Sequence, residues 1–212
     1  MSLSAYEARF QKLLCGSGSR LLRGRQALAI LAAYLIFAAT YLPINEFSVG
    51  RRAHVLYLPG EERLPFLPLF EYLYVLTYFL PLLFLRTIHD YPVFRRLYGA
   101  FFIVLLFAYT TYLLFPVYLE RPPLEVDSLH TWLLSLEYMD KSYNHFPSLH
   151  VAWTWLTVYA SQVSRQTKTG LAVLAVGISL STLFVKQHYI ADVLYGYALA
   201  WLAWRLAGSR RS

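Results

Sequence analysis

The stretch from Asn144 to Asp192 limits the fold more than any other. It opens with Asn144-His145-Phe146-Pro147-Ser148-Leu149-His150 and closes with Lys186-Gln187-His188-Tyr189-Ile190-Ala191-Asp192. Between these polar clusters lie two apolar segments, Val151 to Val163 and Gly170 to Val185. Helices that cross a bilayer and return bring their outer ends together, so the two clusters can meet on one membrane face.

Four further apolar segments follow the same pattern: Ala27 to Leu42, Leu69 to Leu85, Leu97 to Phe115 and His188 to Leu206. With the first segment extended back to Pro147, six spans are predicted, near the ~17–25 residues a bilayer needs. Pro81 in the second span is a predicted kink, tolerated within a membrane bundle. Only 15% of residues are charged and 58% are hydrophobic, where a soluble domain carries about 25% charged residues. The expectation is an all-α integral membrane protein with six transmembrane helices, a single domain over residues 1–212. Residues 1–25 form a basic segment before the first helix, and no small-residue cleavage site follows that helix as a signal peptide requires.

Lysine and arginine set the predicted orientation. Thirteen of the nineteen fall in the N-terminal segment, the 86–96 turn, the 165–168 turn and the C-terminus. The other six, Arg51, Arg52, Arg63, Arg121, Lys141 and Lys186, lie in the alternate loops. Basic loops stay cytoplasmic, so both termini are expected inside and both polar clusters on the extracytoplasmic face. This placement accounts for the net charge of +7, and no basic stripe with stacking aromatics points to nucleic acid. The single cysteine, Cys15, excludes an internal disulfide and a cysteine metal site; near a membrane it is also a weak palmitoylation signal.

His188 and Asp192 are four apart, so on a helix they share a face, and the carboxylate can fix the imidazole tautomer. Pro147 and Ser148 precede an apolar run as a helix start does, and a helix N-terminus presents free N–H groups to an anion. His150 stands at the same end as an acid, with Arg121 and Lys186 as candidate phosphate-binding cations. A zinc site through His145, His150, His188 and Asp192 lacks helical ligand spacing, since His145 and His150 are five apart around Pro147. A serine protease through Ser148 lacks a nucleophile elbow. Neither metal nor cofactor is expected.

Arg121-Pro122, Pro147-Ser148-Leu149-His150, and Ser181-Thr182 followed by His188 and Asp192 together resemble the type 2 phosphatidic acid phosphatase (PAP2) superfamily. That family carries Lys-x6-Arg-Pro, Pro-Ser-Gly-His and Ser-Arg-x5-His-x3-Asp. Here Leu114 stands in place of the motif lysine, Leu149 of the glycine and Thr182 of the arginine. The Pro-Ser-Leu-His and Lys-Gln-His-Tyr variants look like the branch that includes inositol phosphorylceramide synthases.

The resemblance implies a PAP2-like helical bundle. It makes His188 the nucleophile toward phosphorus, Asp192 its orienting partner and His150 the acid, with Arg121, Ser148 and Lys186 at the phosphate. Lys186 would supply the charge that Thr182 does not. The expected function is a lipid phosphatase at the outer membrane face, acting on a phosphatidic acid-like or polyprenyl phosphate or pyrophosphate through a phosphohistidine. Its expected partners are that lipid phosphate and the bilayer. Water is the favoured acceptor, because neither long outer loop carries a sugar- or inositol-binding signature. The alternatives are a phosphotransferase that moves a headgroup between lipids, and a non-catalytic transporter or lipid-binding protein on the same fold.

Overall fold

The computed structural model describes residues 3–14 and 23–208. Cys15 and the basic residues Arg20, Arg210 and Arg211 therefore lie outside the described residues. Eight helical elements are used below: α1 (Leu3–Leu14), α2 (Arg23–Ser48), α3 (Pro68–Thr87), α4 (Tyr91–Leu114), α5 (Leu129–Glu137), α6 (Leu149–Ala160), α7 (Arg165–Phe184) and α8 (Ile190–Gly208). Among the described residues there is no strand, only isolated bridges that join Val117 to His54 and to Asn144.

Helix starts follow local chemistry. Ser128, Ser148 and Ser164 each cap a helix by accepting a backbone N–H from three residues on. Pro92 sits in the first turn of α4, where its missing N–H costs nothing. The kink expected at Pro81 is a longer irregularity: α3 is a chain of short α and 3₁₀ turns, with Pro68 and Pro81 each near the start of a 3₁₀ turn.

Four helices, α2, α3, α4 and α7, are long and apolar enough to cross a membrane. On α2, Leu28, Leu31, Leu35 and Leu42 are exposed while Ile30 and Ala33 are buried, the pattern of a helix with one face to lipid. The expected span from Pro147 is shorter than the sequence suggested. At twelve residues, α6 is about 18 Å long, against a hydrocarbon core of about 30 Å. The nineteen-residue α8 carries Tyr195, Tyr197, Trp201 and Trp204, which lower its hydropathy.

These two helices form the centre of the bundle. α8 packs against both α6 and α4, and α6 also meets α4 and α7. The contacts are made by Ala100, Val104 and Ala108 of α4, Ala152 and Leu156 of α6, and Ala200 and Ala203 of α8, all buried. Small residues let helix backbones approach closely where apolar burial alone cannot drive association. A helix wrapped on several sides need not meet lipid along its length, which explains how α6 can be short.

One close approach fixes the site. At Gly196 on α8, an added Cβ would lie 2.6 Å from the Ser148 carbonyl oxygen. The same two elements are joined by Ser148 N–H donating to the Asp192 carbonyl at 3.1 Å. Gly196→Ala is therefore expected to push the start of α6 away from α8. Overpacking of this kind costs about 1–3 kcal/mol, so the variant should melt lower and lose turnover; an unchanged melting temperature and rate would show that this contact is not limiting.

Candidate active site

His188 lies in the loop between α7 and α8, two residues before α8 begins. The apolar pattern predicts the helix to start at His188; it starts at Ile190 instead. The loop turns through Lys186, whose φ of 54° is left-handed, and the N–H groups of Gln187 and His188 donate to the Thr182 carbonyl at 3.0 and 3.2 Å. Asp192, in the first turn of α8, is fully buried. Its Oδ2 accepts from Tyr189 N–H at 2.8 Å and lies 3.3 Å from His188 Nδ1. The carboxylate thus caps its own helix and fixes the imidazole at once.

With Nδ1–H given to Asp192, His188 Nε2 carries the lone pair, and it stands 3.3 Å from His150 Nδ1. Burial pushes the His188 imidazole down from 6.5 to about 3, and nearby Arg121 adds to the lowering. A neutral ring with one nitrogen held by a carboxylate and a lone pair on the other is suited to attack at phosphorus.

The sign of the pH dependence follows. Between 6.5 and about 3 the unfolded chain binds a proton that the folded chain refuses. Stability from this group is therefore full above 6.5 and lost as pH falls through that window. An ordinary imidazole would be only about 3% neutral at pH 5. Initial-rate kcat/KM should instead hold well below pH 6.5, and an acid limb at 6.5 would contradict the buried neutral ring.

His150, in the first turn of α6, is held by α3. Tyr74 and Tyr78 each place a hydroxyl 2.9 Å from His150 Nε2, and Thr77 donates to the His150 carbonyl at 3.3 Å. Tyr78 also donates to Glu137 Oε2 at 2.7 Å. Arg121 reaches the same centre, donating to Asp140 Oδ1 at 2.6 Å and to Gln187 Oε1 at 3.0 Å. A cavity of about 240 Å³ joins these groups. Its lining includes the polar side chains of His188, His150, His145, Arg121, Glu137 and Asp140 and the apolar ones of Phe37, Leu42, Leu136 and Trp153.

Among the sequence-predicted site residues, His188, Asp192, His150 and Arg121 are brought together. Ser148 and Lys186 are not. Ser148 is fully buried, does not line the cavity, and uses its hydroxyl to accept from Val151 N–H at 3.3 Å. Lys186 does not line that cavity but a smaller hollow, which it shares with Glu61, Glu120, Tyr189 and His188 itself. Burial lowers its pKa, and Glu61 opposes the shift. Among the described residues no group of three His, Cys, Asp or Glu side chains is placed to hold a metal ion.

The PAP2 superfamily model matches residues 62–206, from the loop before α3 to the last turns of α8. The chain belongs to the PAP2 superfamily. No curated protein and no solved structure matches it. Of the three PAP2 motif positions where this chain departs, Leu149 opens α6 and lines the cavity, and the other two lie in α4 and α7. Leu114 is 78% exposed at the end of α4, and Thr182 is buried with its hydroxyl donating to the Ser179 carbonyl at 2.8 Å. Tyr74, Tyr78, Glu137, Asp140 and Gln187 are the residues that sequence reasoning missed. The tyrosines read as membrane aromatics, and only the three-residue step from Glu137 to Asp140 beside Arg121 hinted at a shared site.

Proposed function

We propose that this protein transfers a phosphoryl group from a lipid phosphate through a covalent phosphohistidine, at the extracytoplasmic face of a membrane. The observation that carries the reading is the buried chain from Asp192 through His188 to His150, beside a cavity lined by both polar and apolar side chains. In the first step His188 Nε2 bonds to phosphorus and the lipid alcohol leaves with a proton from His150. In the second, an acceptor oxygen displaces the nitrogen and His150 takes back the proton. Arg121 offsets charge on the phosphoryl oxygens, since such reactions depend chiefly on positioning and charge.

Water is the acceptor favoured here, giving a lipid phosphatase. Transfer to a second alcohol is supported by Glu137 and Asp140 at the cavity wall, carboxylates able to accept a hydrogen bond from a hydroxyl. Purified protein in vesicles of phosphatidic acid, with and without a lipid alcohol, separates the two. Free phosphate released without added alcohol supports hydrolysis, and a new phospholipid formed only with it supports transfer. No turnover in either case would favour a transporter or lipid-binding role.

The reading also takes α6 and α8 as crossing the membrane within the shield of the other helices, with both termini cytoplasmic. In a Cys15→Ser background, Lys141→Cys should react with an impermeant thiol reagent added to intact cells, and Arg165→Cys should not. Both positions are exposed. The reverse labelling pattern would invert the topology.

A further inference from the structure

His150 has to give a proton to the leaving lipid oxygen, yet its neighbours suit a neutral ring. Its Nδ1 stands 3.3 Å from the His188 Nε2 lone pair, so Nδ1 carries the hydrogen. Its Nε2 faces the hydroxyls of Tyr74 and Tyr78, each at 2.9 Å, and a lone pair there accepts from a hydroxyl. Among the described residues the one histidine ion pair is His188 with Asp192, so no carboxylate supports an imidazolium at His150. The ordinary imidazole acidity, near about 6.5, belongs to imidazolium and not to the neutral ring. A proton therefore has to reach Nε2 as one leaves Nδ1.

Tyr78 leads to a source. It meets Glu137 Oε2 at 2.7 Å, at the last residue of α5. Glu137, Tyr78, His150, His188 and Asp192 thus form an unbroken row of contacts of 2.7 to 3.3 Å. Removal from water holds the Glu137 carboxyl above its ordinary range and Asp140 adds to this, while the Tyr78 hydrogen bond and Arg121 oppose it. Glu71 of α3, close enough for charge to act between it and Glu137, is fully buried with neither carboxyl oxygen partnered. Two carboxyl groups held near each other out of water do not both ionise. The row can also hydrogen-bond in two directions. With Glu137 ionised, Tyr78 O–H donates to the carboxylate. With Glu137 protonated, its O–H donates to the Tyr78 oxygen and Tyr78 O–H turns to His150 Nε2.

We infer that Glu137 and Tyr78 form a proton relay that reloads His150 during each phosphoryl transfer. This rests on the phosphohistidine reading and adds the source of its proton. As the phosphoester bond breaks, the leaving oxygen takes the Nδ1 proton of His150, Nε2 takes the Tyr78 proton, and Tyr78 takes the Glu137 proton. His150 stays neutral with its hydrogen moved to Nε2, and Glu137 is left as the carboxylate. When water attacks the phosphohistidine, its proton goes to Nδ1 and the row runs back, returning a proton to Glu137. Glu137 and Tyr78 touch neither phosphorus nor the leaving oxygen, and act through His150 as positioning residues for the proton.

The test compares two leaving groups in the same vesicles. Diacylglycerol, released from phosphatidic acid, needs a proton to leave. The phenol of an alkyl-tailed para-nitrophenyl phosphate leaves as a stable anion. First-turnover release isolates the bond-breaking step. Glu137→Gln keeps the hydrogen bonds but holds no transferable proton, and Tyr78→Phe removes the link. Each should slow diacylglycerol release by about 100-fold or more and leave release of the nitrophenol nearly unchanged. The two rates are read within each preparation, so a poorly folding variant lowers both alike. Equal losses on both substrates would mean a structural role and overturn the relay, as would a normal diacylglycerol rate in either variant. Wild-type protein that releases diacylglycerol but no nitrophenol would overturn it too, because a group that needs no proton should leave at least as fast. In those results release that still depends on His188 leaves the phosphohistidine reading intact. Release from neither substrate, or release unchanged in His188→Ala, would overturn the phosphohistidine reading and the relay with it.

Discussion

His188→Ala is expected to lower kcat/KM by about 10⁴-fold or more while the protein still folds and inserts. His188 supplies a nitrogen lone pair 3.3 Å from His150 Nδ1, with a carboxylate on its other ring nitrogen. Among the described residues lining the cavity no other side chain combines the two. Ser148 is fully buried and its hydroxyl is engaged in capping, and His145, whose Nε2 is unpaired, gives its Nδ1–H to the Gln187 carbonyl and not to a carboxylate. Folding should survive because the elements on either side are held independently. The α7–α8 loop is pinned by N–H groups of residues 187 and 188 on the Thr182 carbonyl, and a backbone bond is indifferent to the side chain. A cavity of imidazole size remains, so a modest fall in melting temperature is expected with the loss of rate. Substantial turnover in His188→Ala, measured as product release from vesicles, would remove the mechanism.

Asp192→Asn should be nearly as damaging, about 10³–10⁴-fold in kcat/KM, with little change in lipid affinity. The carboxylate accepts from both Tyr189 N–H and His188 Nδ1–H through Oδ2. An amide oxygen in the Oδ2 place can keep both bonds, but it carries no full charge to hold the Nδ1–H tautomer or to offset charge developing on the ring. The flipped amide sets NH₂ against Nδ1, and the tautomer that exposes the Nε2 lone pair is then no longer enforced. Because the Asp192 carbonyl also accepts from Ser148 N–H at 3.1 Å, a backbone contact untouched by the substitution, the two motifs should stay clasped. The separation of a large rate loss from a small KM change checks this. A rise in KM with kcat preserved would mean that Asp192 acts in binding.

The sequence made the two motif clusters legible because their spacing is a local property. His188 and Asp192 needed only a four-residue step, and the structure achieves their meeting through a loop and a cap rather than within one helix. His150 and Arg121 were legible through the family's motif order. What supports them was not. Tyr74 and Tyr78 reach His150 from 72 or more positions away in the chain, and aromatic residues in an apolar run are also what lipid contact selects. The length of α6 was hidden for a similar reason. Apolar composition does not say whether a helix meets lipid or other helices, and eight of its twelve residues are buried. Lys186 drew attention as a cation near His188; its backbone is left-handed, and it lines a smaller hollow with Glu61 and His188 and not the main cavity.

The central claim is a covalent bond from His188 to phosphorus, and trapping it is the most direct measurement. Purified protein is mixed with phospholipid labelled at phosphorus, quenched in alkali within a single turnover, and assayed for label that survives base but not acid. The account predicts label on the wild-type protein, in the peptide that contains His188, and none on His188→Ala. Turnover with no label on the protein, or equal label on the His188→Ala variant, would contradict it.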